Sequence, residues 1–180
     1  LQNLKLHFLT LALFGVLFPC LIWLIGRVMP HQAEGSPVIV NGRTVGFQNI
    51  GQAFDSPAYF WGRPSAVGYN AAATGGSNHG PTNPAHLAAV RERAQAFRAA
   101  HPGVGQVPAD MVTASGGGLD PHITPASAYA QVARVARERK LPEATVRAWV
   151  AQHVEPPLLG LFGPPRVNVL TLNLALDRAQ

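Results

Sequence analysis

The sequence predicts an α+β protein in which one N-terminal membrane-spanning helix precedes a small, helix-rich domain with a β-hairpin and long, ordered Gly/Pro loops. Three observations predict it. Residues 8–26 contain no charge and are dominated by Leu, Ile, Val and Phe. Asn41-Gly42 separates two short β-branched runs. Later in the chain, apolar residues recur at helical spacing behind proline-marked starts.

The span comes first in the chain. At 1.5 Å per residue, Phe8 to Gly26 is long enough to cross a hydrocarbon core of about 30 Å. Its side chains favour insertion by roughly 4–6 kcal/mol, with no ionised group opposing them. Pro19 removes one backbone donor, a loss that transmembrane helices tolerate. A cleaved signal peptide would have a shorter apolar core and a small-residue exit, whereas this segment leaves through Gly26-Arg27-Val28-Met29-Pro30. A lipoprotein signal would need small residues before Cys20, where Phe18-Pro19 stands instead. The expectation is an uncleaved anchor over residues 1–30 and one soluble domain over 31–180. Lys5 and Arg27 flank the span on opposite sides, so charge bias leaves its orientation open. The chain opens on Leu1 rather than Met, and a residue or two is expected before it.

After a polar linker from Pro30 to Ser36, Val38-Ile39-Val40 faces Arg43-Thr44-Val45 across Asn41-Gly42. Both turn residues tolerate positive φ, so this reads as a hairpin. An aperiodic stretch follows, with Phe54, Tyr59, Phe60 and Trp61 among Gly and Pro, closing in Thr74-Gly75-Gly76-Ser77-Asn78. Loops of such length are usually functional or pinned by side-chain hydrogen bonds. Asn83-Pro84 opens a helix with Leu87, Val90, Ala94 and Phe97 on one face, stopped at Pro102-Gly103. Val107 to Ser115 reads as extended. Thr124-Pro125 opens a second helix with Ala128, Val132 and Val135 inward. Basic residues in its last turn suit the dipole. A third helix starts at Pro142 and presents Val146, Trp149, Val150 and His153. Val169 to Leu176 reads as a short final helix, with a strand as the alternative.

Composition excludes several function classes. The net charge is +5 and the pI about 10.1, yet the arginines are dispersed and no aromatics interleave with them, so a nucleic-acid surface is not expected. One cysteine gives neither a disulfide framework nor a metal finger. Ser115, Asp120 and His122 have the residue types of a hydrolase triad but lack its strand–turn–helix setting. An extracytoplasmic serine hydrolase using Ser115 is therefore the alternative reading, and caps and turns explain Ser and Asp as well. The Gly75 to Asn78 run could offer backbone N–H groups to a phosphate, but no P-loop motif accompanies it. The histidines lack ligand spacing, so no metal site is expected. Tyr59 to Trp61 reads as core more than as a docking patch.

Four blocks taken together carry a resemblance. They are Gly51-Gln52-Ala53-Phe54 with Tyr59 to Ala66, Tyr69-Asn70 through Asn83-Pro84, Val107-Pro108 through Gly118-Leu119-Asp120-Pro121-His122-Ile123, and Pro164 through Asp177. In this order, behind a single span, they resemble KdpC, the family of C subunits of Kdp potassium-transporting P-type ATPases. One departure is Thr74, where the family has Ser. The resemblance implies an accessory subunit of the cell membrane, without catalysis of its own, that assembles and stabilises an ATP-driven potassium-uptake complex. Its implied partners are the lipid bilayer, a KdpA-like potassium-binding subunit, a KdpB-like ATP-hydrolysing subunit and a small KdpF-like subunit. It also implies an extracytoplasmic domain and a catalytic-chaperone role that raises the ATP affinity of the B subunit. On that reading Gly75, Gly76, Ser77 and Asn78 are the nucleotide contact, with ATP shared with the B subunit. Tyr59, Phe60, Arg63, Pro64, Tyr69 and Asn70 are then the partner interface.

Overall fold

The computed structural model describes residues 2–178; Leu1, and with it the expectation about the chain's start, lies outside them. The chain divides into two compact units, Leu1–Phe47 and Gln48–Gln180.

In the first unit, α1 runs over Gln2–Val28, longer at both ends than the apolar stretch itself, and is long and apolar enough to cross a membrane. Leu13–Leu17 widens to a π-turn in which the Phe18 amide bonds the Leu13 carbonyl. The cause stands just downstream. Pro19 has no N–H, and in an α-helix its ring would press on the carbonyl four residues back, so one wide turn absorbs it. The helix ends at Met29, and a single helical turn, Pro30–Ala33, begins the linker. Strands β1 (Pro37–Val40) and β2 (Arg43–Phe47) pair Val40 with Arg43 and Ile39 with Thr44. Asn41 and Gly42 have φ of 51° and 75°, the signature of a type I′ turn. The register shifts between Val38 and Ile39, which makes Val45 the extra residue of a bulge.

Among its described residues the second unit has four helices and a small sheet, so the fold is α+β. The helices are α2 (Pro84–Ala100), α3 (Pro125–Arg139), α4 (Glu143–Gln152) and α5 (Val169–Arg178). The antiparallel sheet has the order β3 (His122–Ile123), β5 (Arg166–Asn168), β4 (Val154–Glu155). Caps lie where the sequence puts them: Asn83 Oδ1 accepts from the Ala85 amide at 2.9 Å, and Thr124 Oγ1 from Ser127 at 3.2 Å. Lys140 closes α3 in the left-handed conformation at φ 56°. Ala128, Val132 and Val135 of α3 meet Val146 and Val150 of α4 and Leu172 and Leu176 of α5 in one core with Phe60, Ile123 and Val167. Each fully buried Val or Leu is worth roughly 1.5–3 kcal/mol of transfer free energy.

Two expectations are corrected. Residues 107–115 are not extended: Pro108 leads into a 3₁₀ turn, Ala109–Met111, and Thr113 Oγ1 bonds back to the Ala109 carbonyl at 2.8 Å. On α2 the expected apolar face is buried only at Phe97, and Leu87 remains 39% exposed. Val169 to Leu176 is helical, and Asn168 caps it by accepting from the Thr171 amide at 3.2 Å.

Candidate functional site

The long loops form two joined networks. In the first, the segment 57–61 has no strand partner, yet each of its five carbonyls is taken by a side chain. Arg134 donates to Pro57 and, at 2.9 Å, to Tyr59. Arg139 Nε donates to Ala58 at 2.7 Å, Asn173 Nδ2 to Phe60 at 2.9 Å and Gln131 Nε2 to Trp61 at 3.1 Å. The amide oxygens of Asn173 and Gln131 in turn accept the Phe60 and Trp61 N–H groups, each at 2.8 Å. The two side-chain amides thus reproduce the ladder a neighbouring strand would supply.

Arg134 is the hub and is only 2% exposed. Its guanidinium lies 3.9 Å from the Trp61 ring centroid and donates to Gln131 at 2.8 Å and to His101 Nε2 at 2.8 Å. His101 Nδ1 lies 2.7 Å from the Phe97 carbonyl and is assigned the ring proton, leaving Nε2 free to accept. Burial, with help from the neighbouring Arg134 charge, pulls the His101 pKa down to about 4, against the pull of the Phe97 bond. Burial likewise lowers Arg134 to about 10, so it remains a cation at neutral pH.

The second network welds residues 51–76 to residues 114–122. Arg63 pairs with Asp120 at 3.0 Å, and Asp120 also accepts the His122 amide at 3.0 Å. Burial works against the Asp120 charge, but the bonds from His122 and Arg63 outweigh it and hold the carboxyl at about 2. Tyr69 donates its hydroxyl to the Arg63 carbonyl at 2.5 Å. Burial, and then the Asp120 charge, pushes its pKa up to about 12. Ser65 Oγ donates to the Gly118 carbonyl at 2.7 Å and accepts the Tyr69 amide at 2.9 Å. Two glycine runs meet backbone to backbone: the Gly75 amide bonds the Gly117 carbonyl at 3.1 Å, and a Cβ on Gly76 would sit 2.6 Å from the Gly116 oxygen. Gly118 has φ +72°, and a Cβ there would meet Val67 at 2.5 Å.

The sequence-predicted residues fall out as follows. Ser115 is 3% exposed, its amide bonds the Pro64 carbonyl at 3.0 Å, and among the described residues no hydrogen bond joins it to His122. The His122 ring instead lies between Asp120, at 3.7 Å, and Glu155, at 3.9 Å. The three triad-type residues are close in sequence but not joined as nucleophile, base and orienter. In the Gly75 to Asn78 run, the Gly75 amide is occupied by Gly117, while Ser77 and Asn78 are exposed. Phe60 has no surface to offer a partner, being 0% exposed in the core. Its burial follows from the pinning of both its backbone groups by Asn173. Arg63, Pro64 and Tyr69 line an open cleft of about 370 Å³, Asn70 is exposed, and Tyr59 bonds Asp177 at 3.1 Å. Among the described residues, no three His, Cys, Asp or Glu side chains gather as metal ligands.

Sequence reasoning missed Gln131, Arg134, Arg139, His101 and Asn173. A signal existed for three of them. Gln131 lies three residues beyond Ala128, Arg134 three beyond Gln131, and Asn173 interrupts the apolar run Leu172 to Leu176.

Comparison with known proteins fits this arrangement. The family model described as "KdpC: K+-transporting ATPase, c chain" matches residues 1–178. A potassium-transporting ATPase KdpC subunit from Janthinobacterium sp. is 58% identical over 169 residues, covering 91% of this chain and 89% of the relative. One from Sorangium cellulosum is 58% identical over 174 residues, covering 94% and 92%. One from Flavobacterium johnsoniae is 49% identical over 177 residues, covering 97% and 95%. With the match running from the apolar helix to the last described residue, the chain belongs to the KdpC family of K+-transporting ATPase c chains.

Proposed function

We propose that this chain is the accessory subunit of an ATP-driven potassium-uptake complex, anchored by α1 and carrying its domain on the extracytoplasmic side. Its role there is to assemble and stabilise a potassium-binding KdpA-like subunit, an ATP-hydrolysing KdpB-like subunit and a small KdpF-like subunit, not to perform chemistry. One observation carries the non-catalytic reading: the side chains with catalytic potential are committed to holding loops together. Asp120 is neutralised by Arg63, and Ser115 is buried with no hydrogen bond to His122. The experiment is purification of the C-terminally tagged chain from membranes in mild detergent, followed by mass spectrometry. Recovery of the ATPase and potassium-binding subunits is expected, and recovery of the chain alone from membranes that express them would reject the proposal. In the assembled complex Ser115→Ala should leave ATPase activity nearly unchanged, and a large loss would return the hydrolase reading.

The catalytic-chaperone role is part of the same proposal. With the Gly75 amide engaged, a nucleotide contact falls to the exposed Ser77 and Asn78. ATP binding by the purified full chain no tighter than millimolar would count against a direct contact.

A further inference from the structure

Strands β4 and β5 are joined by residues 156–165, Pro-Pro-Leu-Leu-Gly-Leu-Phe-Gly-Pro-Pro, which contain no side chain able to form a hydrogen bond. Its large side chains point to solvent: Leu158 is 70% exposed, Leu159 81%, Leu161 82% and Phe162 63%. So many neighbouring apolar residues left bare on a folded domain signal a contact. The loop is also a formed object. Leu158 and Phe162 exchange backbone bonds, each at 2.9 Å, and Leu159 and Gly160 turn the chain at φ 54° and 74°. A leucine in the left-handed region is strained where Asn or Gly would not be, and here it keeps an apolar side chain at the tip.

The backbone accounting says what the loop is suited to enter. Four of its ten residues are prolines with no N–H. Of the other six, Leu158, Gly160, Leu161 and Phe162 bond their amides to carbonyls inside the loop. The Leu159 and Gly163 amides, and the carbonyls other than those of Pro157, Leu158 and Phe162, find no partner inside the loop. Hydrocarbon admits only backbone that satisfies itself, so this backbone suits the wet headgroup layer, with only the side chains reaching the acyl chains. A protein partner, by contrast, ordinarily meets an interface with about one hydrogen bond per 100–200 Å², and no side chain of this loop can supply one. The Glu155–Arg166 ion pair, 2.8 Å long, marks where polar surface resumes at its base. We infer that the 158–162 tip is a second membrane contact, which inserts its Leu and Phe side chains into the headgroup–acyl boundary of the bilayer. This rests on the anchor reading: a span in the same chain holds the lipid at high effective concentration, so a few apolar side chains suffice.

The test uses the full chain with Cys20→Ser, nitroxide-labelled at Leu161→Cys and reconstituted in vesicles of phosphatidylcholine and phosphatidylglycerol. Reference labels go at Leu13→Cys, inside the span, and at Gln95→Cys, on the exposed side of α2. Accessibility to oxygen, which partitions into lipid, is compared with that to a water-soluble nickel chelate. The expected result is a 161 label that resembles the Leu13 label, with an oxygen-to-nickel ratio several-fold above that at position 95. A 161 label as nickel-accessible as position 95, beside a lipid-exposed Leu13 label, would overturn the inference and leave the anchor standing. Nickel access at position 13 as well would reject the anchor itself. Protection of the 161 label from both reagents would also overturn it, since the tip would then be seated in protein.

Discussion

Arg134 carries a charge into the core with no carboxylate bonded to it; its partners are carbonyls, an amide, an imidazole and the face of Trp61. Removing it strands the carbonyls of Pro57 and Tyr59 away from water, and each orphaned polar group costs about 1–3 kcal/mol. Arg134→Met should therefore lower the stability of the full chain by about 2–4 kcal/mol in detergent thermal unfolding. The matched change Arg137→Met should stay within about 0.5 kcal/mol, because that guanidinium is exposed and meets only its sequence neighbour Glu138. His101 ties the same network to pH. It folds as the neutral ring with a pKa near 4, whereas the unfolded chain takes up a proton below about 6.5. Stability should thus be fully present above pH 6.5 and decline as pH falls toward 4, by up to about 3 kcal/mol. His101→Gln should flatten that decline in a pH series of melting temperatures. Asp120, held near 2, adds its loss only at lower pH, below the ordinary carboxylate range near 3.8.

Among the elements, those that announce themselves locally were the ones legible in the sequence. Asn41-Gly42 specifies its turn by the φ values its residues accept, and Asn83-Pro84 and Thr124-Pro125 supply a cap and a first helical residue each. Strands β3, β4 and β5 are two or three residues long, too short to display alternation, and exist only because distant segments pair. The candidate site was half legible. Arg63, Tyr69 and Asp120 stand in the quoted blocks, but the Arg63–Asp120 pair spans 57 residues, and the Tyr69 bond to the Arg63 carbonyl, six residues apart, follows no helical or strand period, so neither leaves a local pattern. Phe60 was legible as core from its aromatic cluster, and only the resemblance put it at a partner interface; that Asn173 holds it from the far end of the chain left no local sign. The glycine runs give a sharp comparison at this scale. Gly118→Ala should destabilise by about 1–3 kcal/mol through its positive φ and the Val67 clash. Gly117→Ala, with nothing within 4 Å of the new methyl, should unfold at nearly the parent temperature.

For the whole molecule, the division after Phe47 separates a unit with a helix long and apolar enough to cross a membrane from one built around its own core. Removing residues 1–26 should leave the second unit's core intact yet weaken co-purification of the partner subunits several-fold. Unchanged recovery would mean that the domain alone carries assembly. The pinned segment 57–61 has a further consequence, one of time. Its holding bonds reach 70 to 118 residues along the chain, from Gln131 at the near end to Asp177 at the far end. Closing loops of that length is slow compared with winding α3 or α5, so the helices should form first. The segment can settle only once Gln131, Arg134 and Asn173 have been brought side by side. Until then five carbonyls and a phenylalanine lie open to any neighbouring chain, which makes the interval before this latch closes the domain's most aggregation-prone moment.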